Sequence, residues 1–126
     1  ILTEFPYSSA PPGTVQMFES ITSNGYVPIL AHPERYHYFQ NNFDEFFRLV
    51  ETGYKLQVNL LSLVGYYGKP SAKAGKFIIK NNLADWVGTD LHHSGHAAAL
   101  ADKKNRLIIQ NLLQHKEYNN FNQPFY

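Results

Sequence analysis

SNGYVPILAH, residues 23–32, decides the fold. Asn24-Gly25 is a helix stop, with Gly25 suited to a left-handed cap, and the apolar run after it ends abruptly on His32. The phrase returns as TGYKLQVN at 52–59, ending on Asn59, and as NNLADWVGTD at 81–90, ending on Asp90. ILTEF at 1–5 is a fourth apolar stretch and carries Glu4. Helix, Gly or Asn stop, apolar strand, polar residue: the repeat is one of structure, not of sequence. Strands that alternate with helical patterns predict βα units and a parallel α/β sheet or barrel. Right-handed crossovers bring all the strand ends to one side. Glu4, His32, Asn59 and Asp90 then share a single rim, which is where such folds carry function.

The segments between the strands fit this scheme. Val15, Phe18 and Ile21 have helical spacing within Thr14–Ser23. Asn42 or Asp44 can cap a helix carrying Phe46, Phe47, Leu49 and Val50, which Gly53 ends. LLSLVGYYG, residues 60–68, reads as a helical turn that breaks at Gly65 and Gly68, and Ser71 can cap a helix through Phe77, Ile78 and Ile79. Residues 97–114 form the longest helical pattern, with Leu100, Leu107, Ile108 and Leu112 on one stripe. ILTEF reads as a fully buried strand, YVPILA as a strand in which Pro28 is awkward and marks a local irregularity or a strand start, and residues 115–126 as a tail.

Composition narrows the function. The chain has 126 residues, enough for one domain but short of the roughly 250 of a complete eight-fold barrel. About four βα units are present, and the chain opens directly on a strand; we therefore expect the C-terminal part of a larger barrel. A formal charge of +1 gives no electrostatic case for nucleic acid or an anionic membrane. No apolar run approaches the roughly 18 residues that span a bilayer. The absence of cysteine fits a reducing, cytoplasmic setting and removes thiolate chemistry. No Gly-rich phosphate loop and no Gly-x-Ser-x-Gly elbow is present.

The chemistry lies at the strand ends. In GTDLHHSGH, residues 88–96, the Asp90 oxygen and the His92 nitrogen can turn towards one cation, and hard divalent metals accept such mixed ligands. The plain alternative is an Asp that caps the next helix beside exposed histidines. His32, directly after a buried strand, sits at the rim and gains weight as a ligand beside Asp90 and His92. A carboxylate at Glu4 is costly near a buried strand unless a cation or a basic side chain such as Arg35 pairs with it. The fork of Arg35 suits a phosphate or carboxylate. Asn59 reads as structural, His93 and His96 as groups supporting the ligands, acids or solvated helix-start residues, and Tyr36, Tyr38, Tyr66 and Tyr67 as packing.

Taken together, ILTEFP, PILAHPERY and GTDLHH, in this order, resemble the polymerase-and-histidinol-phosphatase (PHP) superfamily. The branch they resemble is the bacterial capsule- and exopolysaccharide-linked, metal-dependent protein-tyrosine phosphatases. The likeness runs from Ile1 to about Leu113 and places residues 1–126 within a single domain. It implies a distorted (β/α)7 TIM-like barrel holding two or three divalent metals, often manganese. By the same likeness Glu4, His32, Asp90 and His92 are metal ligands and Arg35 holds the substrate phosphate.

The resemblance also implies a function: metal-dependent hydrolysis of phosphotyrosine in proteins, the substrate being a tyrosine kinase of polysaccharide synthesis, with an oligomer as a possible assembly. Water activated by the metals attacks phosphorus, Arg35 offsets the phosphoryl charge, and His93 or His96 protonates the leaving oxygen. The alternatives are a histidinol-phosphatase-like enzyme acting on small phosphomonoesters and an inactive fragment or scaffold. Two departures stand out. The family's N-terminal Asp-x-His-x-His strand is not in this chain, and HSGHAAAL, residues 93–100, has no Arg where many relatives carry one.

Overall fold

In the computed structural model, which describes residues 1–114, the expected alternation is realised. Strands β1 (Leu2–Thr3), β2 (Ile29–Ala31), β3 (Lys55–Asn59) and β4 (Ala84–Gly88) form one parallel sheet in the order β1-β2-β3-β4. Between and after them lie helices α1 (Thr14–Ser23), α2 (His37–Gln40), α3 (Asp44–Thr52), α4 (Leu60–Leu63), α5 (Lys69–Lys80), α6 (Ser94–Ala101) and α7 (Lys103–Leu113), with a 3-10 turn at Pro33–Arg35. Strand order follows chain order, so successive crossovers step in one direction. With right-handed crossovers the helices gather on one face, as in a barrel wall, and not on both faces as in a doubly wound sheet.

The register explains the rim. Leu30 pairs with Leu56, and Val58 with Val87, so the apolar residues of the inner strands lie side by side. Between Leu56 and Gln57 the β4 partner jumps from Ala84 to Trp86, a bulge that leaves Asp85 as the extra residue. The Asp85 carboxylate occupies the displaced position: Oδ2 accepts from Leu56 N–H at 3.3 Å, and Oδ1 lies 3.3 Å from Lys55 Nζ. Beneath the sheet, Leu30, Tyr36, Phe46, Leu56, Val58 and Ile78 are fully buried.

Several expectations are corrected. ILTEF is not a fully buried strand: only Leu2–Thr3 is strand, and Ile1 and Leu2 are 57% and 55% exposed. Among the described residues β1 pairs with β2 alone. In YVPILA the strand begins at Ile29, so of the two readings of Pro28 the strand start holds. Pro28 precedes it and contributes only its carbonyl, which accepts from Lys55 N–H at 3.0 Å. Ser71 is not a cap. The helix starts two residues earlier, with Pro70 in the first turn where a missing N–H costs nothing, and buried Ser71 accepts from Gln40 Nε2 at 3.0 Å.

The long pattern at 97–114 is two helices. Asp102 leaves the helical region (φ −60°, ψ 126°), and its Oδ1 accepts from Asn105 N–H at 2.9 Å to start α7. The expected stripe shifts accordingly: Leu107 is exposed and Ile109 is buried. Of the proposed caps for α3, Asn42 does the work, accepting from Asp44 N–H at 3.3 Å, while Asp44 is the first helical residue. Residues 115–126, read as a tail, lie outside the described residues.

Gly53 ends α3 at φ 114°, and a Cβ there would meet the Phe18 ring at 2.9 Å. Gly53→Ala combines a disfavoured backbone with a clash and is expected to cost about 2 kcal/mol or more, read as a lowered urea midpoint. An unchanged midpoint would show that the α3–β3 turn is not under this constraint.

Candidate metal centre

The rim is built where the strands stop. Glu4 follows β1, His32 follows β2 and Asp90 lies two residues past β4. His32 (φ 37°) and Asp90 (φ 47°) are both left-handed, an uncommon state for residues other than glycine. Two such residues, at the ends of β2 and β4 on either side of β3, are backbone strain of the kind found at functional sites. The strain turns each side chain back across the ends of the strands. The ligand atoms of Glu4, His32 and Asp90 all lie within 4.8 Å of one another.

These three residues fit a cation. Ligands about 2 Å from a common ion stand roughly 3–4 Å apart, so sub-ångström side-chain rotations would close the set. Two carboxylates and an imidazole suit a hard or borderline divalent metal. Glu4 Oε1 now lies 3.3 Å from His32 Nε2, whereas His32 Nδ1 is buried with no hydrogen-bond partner. Burial, and secondly Arg35, lower the His32 pKa, which keeps the ring neutral and ligand-competent. Beside the trio lies a cavity of about 190 Å³, also lined by Gln57 and Asn59.

Arg35 is fixed more firmly than an ordinary surface arginine. Its Nη1 donates to Asp90 Oδ2 at 2.8 Å, so it pairs with Asp90 and not with Glu4. Tyr7 and Tyr67 lie against its guanidinium, with ring centroids 4.9 and 3.9 Å from Cζ. Tyr7 also stacks on the His32 ring at 5.6 Å.

The remaining predicted residues divide. His92 is not in the close trio. It is an exposed neighbour of Asp90, with Nδ1 2.7 Å from the Asp90 carbonyl and 3.1 Å from Oδ1. His93 caps α6, its Nδ1 accepting from Gly95 N–H at 3.1 Å. His96 is buried and both ring nitrogens are engaged, Nδ1 by His92 N–H at 3.1 Å and Nε2 by the Tyr67 hydroxyl at 3.3 Å. Asn59 is structural, as its sequence position suggested: its Oδ1 caps α4 by accepting from Leu61 N–H at 2.9 Å.

Three contributors escape a reading by sequence. Glu34, between Pro33 and Arg35, is fully buried, and its Oε1 accepts from Ser62 Oγ at 2.7 Å and from Asn59 N–H at 3.0 Å. It thereby ties the turn that carries Arg35 to the end of β3. Tyr36, read as packing, also accepts from Phe5 N–H at 2.9 Å and donates to the Ala31 carbonyl at 3.0 Å. Those bonds lock the residues adjoining Glu4 and His32 together. Tyr67, likewise read as packing, joins Arg35 to His96. The signal available was the run HPERY itself, in which an acid sits between His32, the expected ligand, and Arg35, the expected phosphate binder.

Comparison with known proteins shows the family. The family profile described as "Capsular polysaccharide synthesis, CpsB/CapC" matches residues 1–119. The chain is 37% identical over 92 residues to the Staphylococcus aureus protein named "Putative tyrosine-protein phosphatase CapC". It is 34% identical over 93 residues to the tyrosine-protein phosphatase YwqE of Bacillus subtilis (strain 168). These matches take in 73% and 74% of this chain but only 36% and 37% of the two relatives. Among solved structures, a chain from the work on YwqE of Bacillus subtilis and CpsB of Streptococcus pneumoniae, described as "unique metal-dependent tyrosine phosphatases", superposes with a TM-score of 0.65 at 26% identity. That superposition covers 91% of this chain and 53% of the other. A profile that matches nearly the whole chain, and relatives above 30% identity over most of it, place this protein in the CpsB/CapC capsular polysaccharide synthesis family.

Proposed function

We propose that this chain supplies part of the metal-ligand set and the phosphoryl-binding arginine of a metal-dependent phosphatase that hydrolyses phosphotyrosine in proteins. The observation that carries the reading is the meeting of Glu4, His32 and Asp90, with Arg35 braced against the same Asp90. The substrate we favour is a tyrosine kinase of capsule or exopolysaccharide synthesis, in the cytoplasm. His92, one side chain away from the trio, is proposed as a further ligand. The cation we favour is manganese, two or three ions per complete site. When bound, it supplies an activated water and positive charge opposite the phosphoryl oxygens.

The protein's own residues do the rest. His32 offers a neutral imidazole from a buried position, with a ring nitrogen that needs no deprotonation before it can bind a cation. Arg35 offers several guanidinium N–H groups that have no hydrogen-bond partner among the described residues. Its contact with Asp90 and the rings of Tyr7 and Tyr67 fixes the fork before substrate arrives, so a phosphoryl group meets preorganised donors. Without cysteine no cysteinyl-phosphate route exists for this chain.

The test is turnover of the full-length protein on a phosphotyrosine peptide and on an alkyl metabolite phosphate such as histidinol phosphate, each with and without a chelator. We expect turnover that the chelator removes and that favours the peptide. Preference for the alkyl ester would move the protein to the small-molecule phosphomonoesterases, and chelator-insensitive turnover would overturn the metal reading.

A further inference from the structure

We propose that Tyr67 is a catalytic residue whose hydroxyl protonates the aryl oxygen leaving phosphorus, and that His96 is the positioning residue that turns the hydroxyl to that task. The proposal rests on the phosphatase reading above and assigns a proton donor within it.

The argument begins at His96. Its Nδ1 accepts a hydrogen bond from His92 N–H at 3.1 Å, so that nitrogen carries no proton. The neutral ring must then hold its proton on Nε2, which faces the Tyr67 oxygen at 3.3 Å. Nε2–H donates and Tyr67 accepts, which leaves the Tyr67 O–H to point elsewhere. His96 itself has no nitrogen left for a substrate. The packing around it keeps the arrangement in place: it is buried, with the His93 ring 3.7 Å and the Tyr66 ring 5.3 Å from its own.

The ring that carries this hydroxyl lies against the proposed phosphoryl binder. The Tyr67 ring centroid is 3.9 Å from Arg35 Cζ, and Arg35 spends one N–H on Asp90. A phosphoryl group held by the other N–H groups brings its bridging oxygen next to Tyr67. Tyr7 also lies against Arg35, at 4.9 Å, but no hydrogen bond orients its hydroxyl among the described residues. Burial raises the Tyr67 pKa against the opposing pull of Arg35, so the hydroxyl keeps its proton at neutral pH.

The chemistry is matched. The leaving group is a tyrosyl oxygen and the donor is another tyrosine, so the proton passes from one phenol to another, with burial making Tyr67 the weaker acid of the pair. A water oxygen forms the new bond to phosphorus as the bond from phosphorus to the aryl oxygen breaks. Both electrons of the broken bond go to the aryl oxygen, which takes the Tyr67 proton and departs as tyrosine. The attacking water gives up one proton to solvent, and the Tyr67 phenolate, held by His96 Nε2–H and Arg35, takes one back.

Tyr67→Phe tests this, because it keeps the ring against Arg35 and removes only the O–H. The metal-loaded full-length protein is assayed on a phosphotyrosine peptide and on 4-nitrophenyl phosphate, whose nitrophenolate leaves without needing a proton. We expect kcat on the peptide to fall about tenfold or more and kcat on the nitrophenyl ester to fall much less, which also reports that the variant is folded. His96→Asn is expected to reproduce the selective loss in milder form. Equal losses on both esters, or no loss on the peptide, would overturn the assignment while leaving the phosphatase reading intact. A wild-type protein inert towards both esters overturns the phosphatase reading, and the assignment with it.

Discussion

Asp90→Ala is expected to remove both bound metal and turnover, lowering kcat/KM on a phosphotyrosine peptide on the order of a thousandfold. Asp90 serves two partners: it completes the trio with Glu4 and His32, and its Oδ2 holds Arg35 Nη1 at 2.8 Å. Truncation therefore takes a charge from the cation and an anchor from the phosphate binder together. It leaves Arg35 held by the rings of Tyr7 and Tyr67 alone. Asp90→Asn separates the two effects, since its amide oxygen can still accept from Arg35 while the ligand charge is gone. Metal content by elemental analysis, beside kcat and KM, is the measurement. We expect metal to be lost in both variants and KM to rise more in Asp90→Ala. Full metal occupancy with near-normal turnover in Asp90→Ala would remove Asp90 from the centre.

The second large effect concerns Glu34 and pH. Burial is the main cause that raises its pKa to about 7, against the lowering by Ser62 and Asn59. The carboxyl is fully buried, and its Oε2 has no hydrogen-bond partner. Between the ordinary glutamate pKa and about 7 the folded protein holds a proton that the unfolded chain releases. Folding stability from this group is thus complete at acidic pH and is lost as pH rises through about 7. A rise from the ordinary glutamate range to about 7 corresponds to about 3 kcal/mol. Urea midpoints of the chelated protein from pH 5 to 8 are expected to fall accordingly.

In Glu34→Gln the slope should flatten. The amide oxygen keeps the bonds from Ser62 and Asn59, while the amide nitrogen lies buried without an acceptor at a cost of about 1–3 kcal/mol that does not vary with pH. An identical slope in wild type and variant would mean that Glu34 does not titrate in this window. Glu34→Ala should be worse at every pH. It leaves Asn59 N–H and the Ser62 hydroxyl facing a void in the core, and it loosens the turn that carries Arg35.

The fold was legible wherever one strong local pattern decided it. Gly53, Asn81 and Asn82 interrupt helical spacing and are followed by apolar runs, so β3 and β4 fall where periodicity places them. It was misread where two local signals compete. Residues 97–114 keep helical spacing throughout, yet Asp102 can exchange helix continuation for a cap, and the cap wins. ILTEF has the composition of an inner strand, but exposure depends on what lies alongside it, and among the described residues β1 pairs with β2 alone.

The amino-acid order by itself determined the parallel βα succession and the placing of Glu4, His32 and Asp90 at strand ends, because periodicity and chain breaks are local properties and the handedness of crossovers is general. Only the tertiary structure decided which side chains meet: Arg35 with Asp90 across 55 residues, Glu34 sealed beneath Asn59 and Ser62, and Tyr67 between Arg35 and His96. These pairings follow from which strand ends the sheet order sets side by side and from how deeply each group is withdrawn from water. Neither quantity is a function of spacing along the chain.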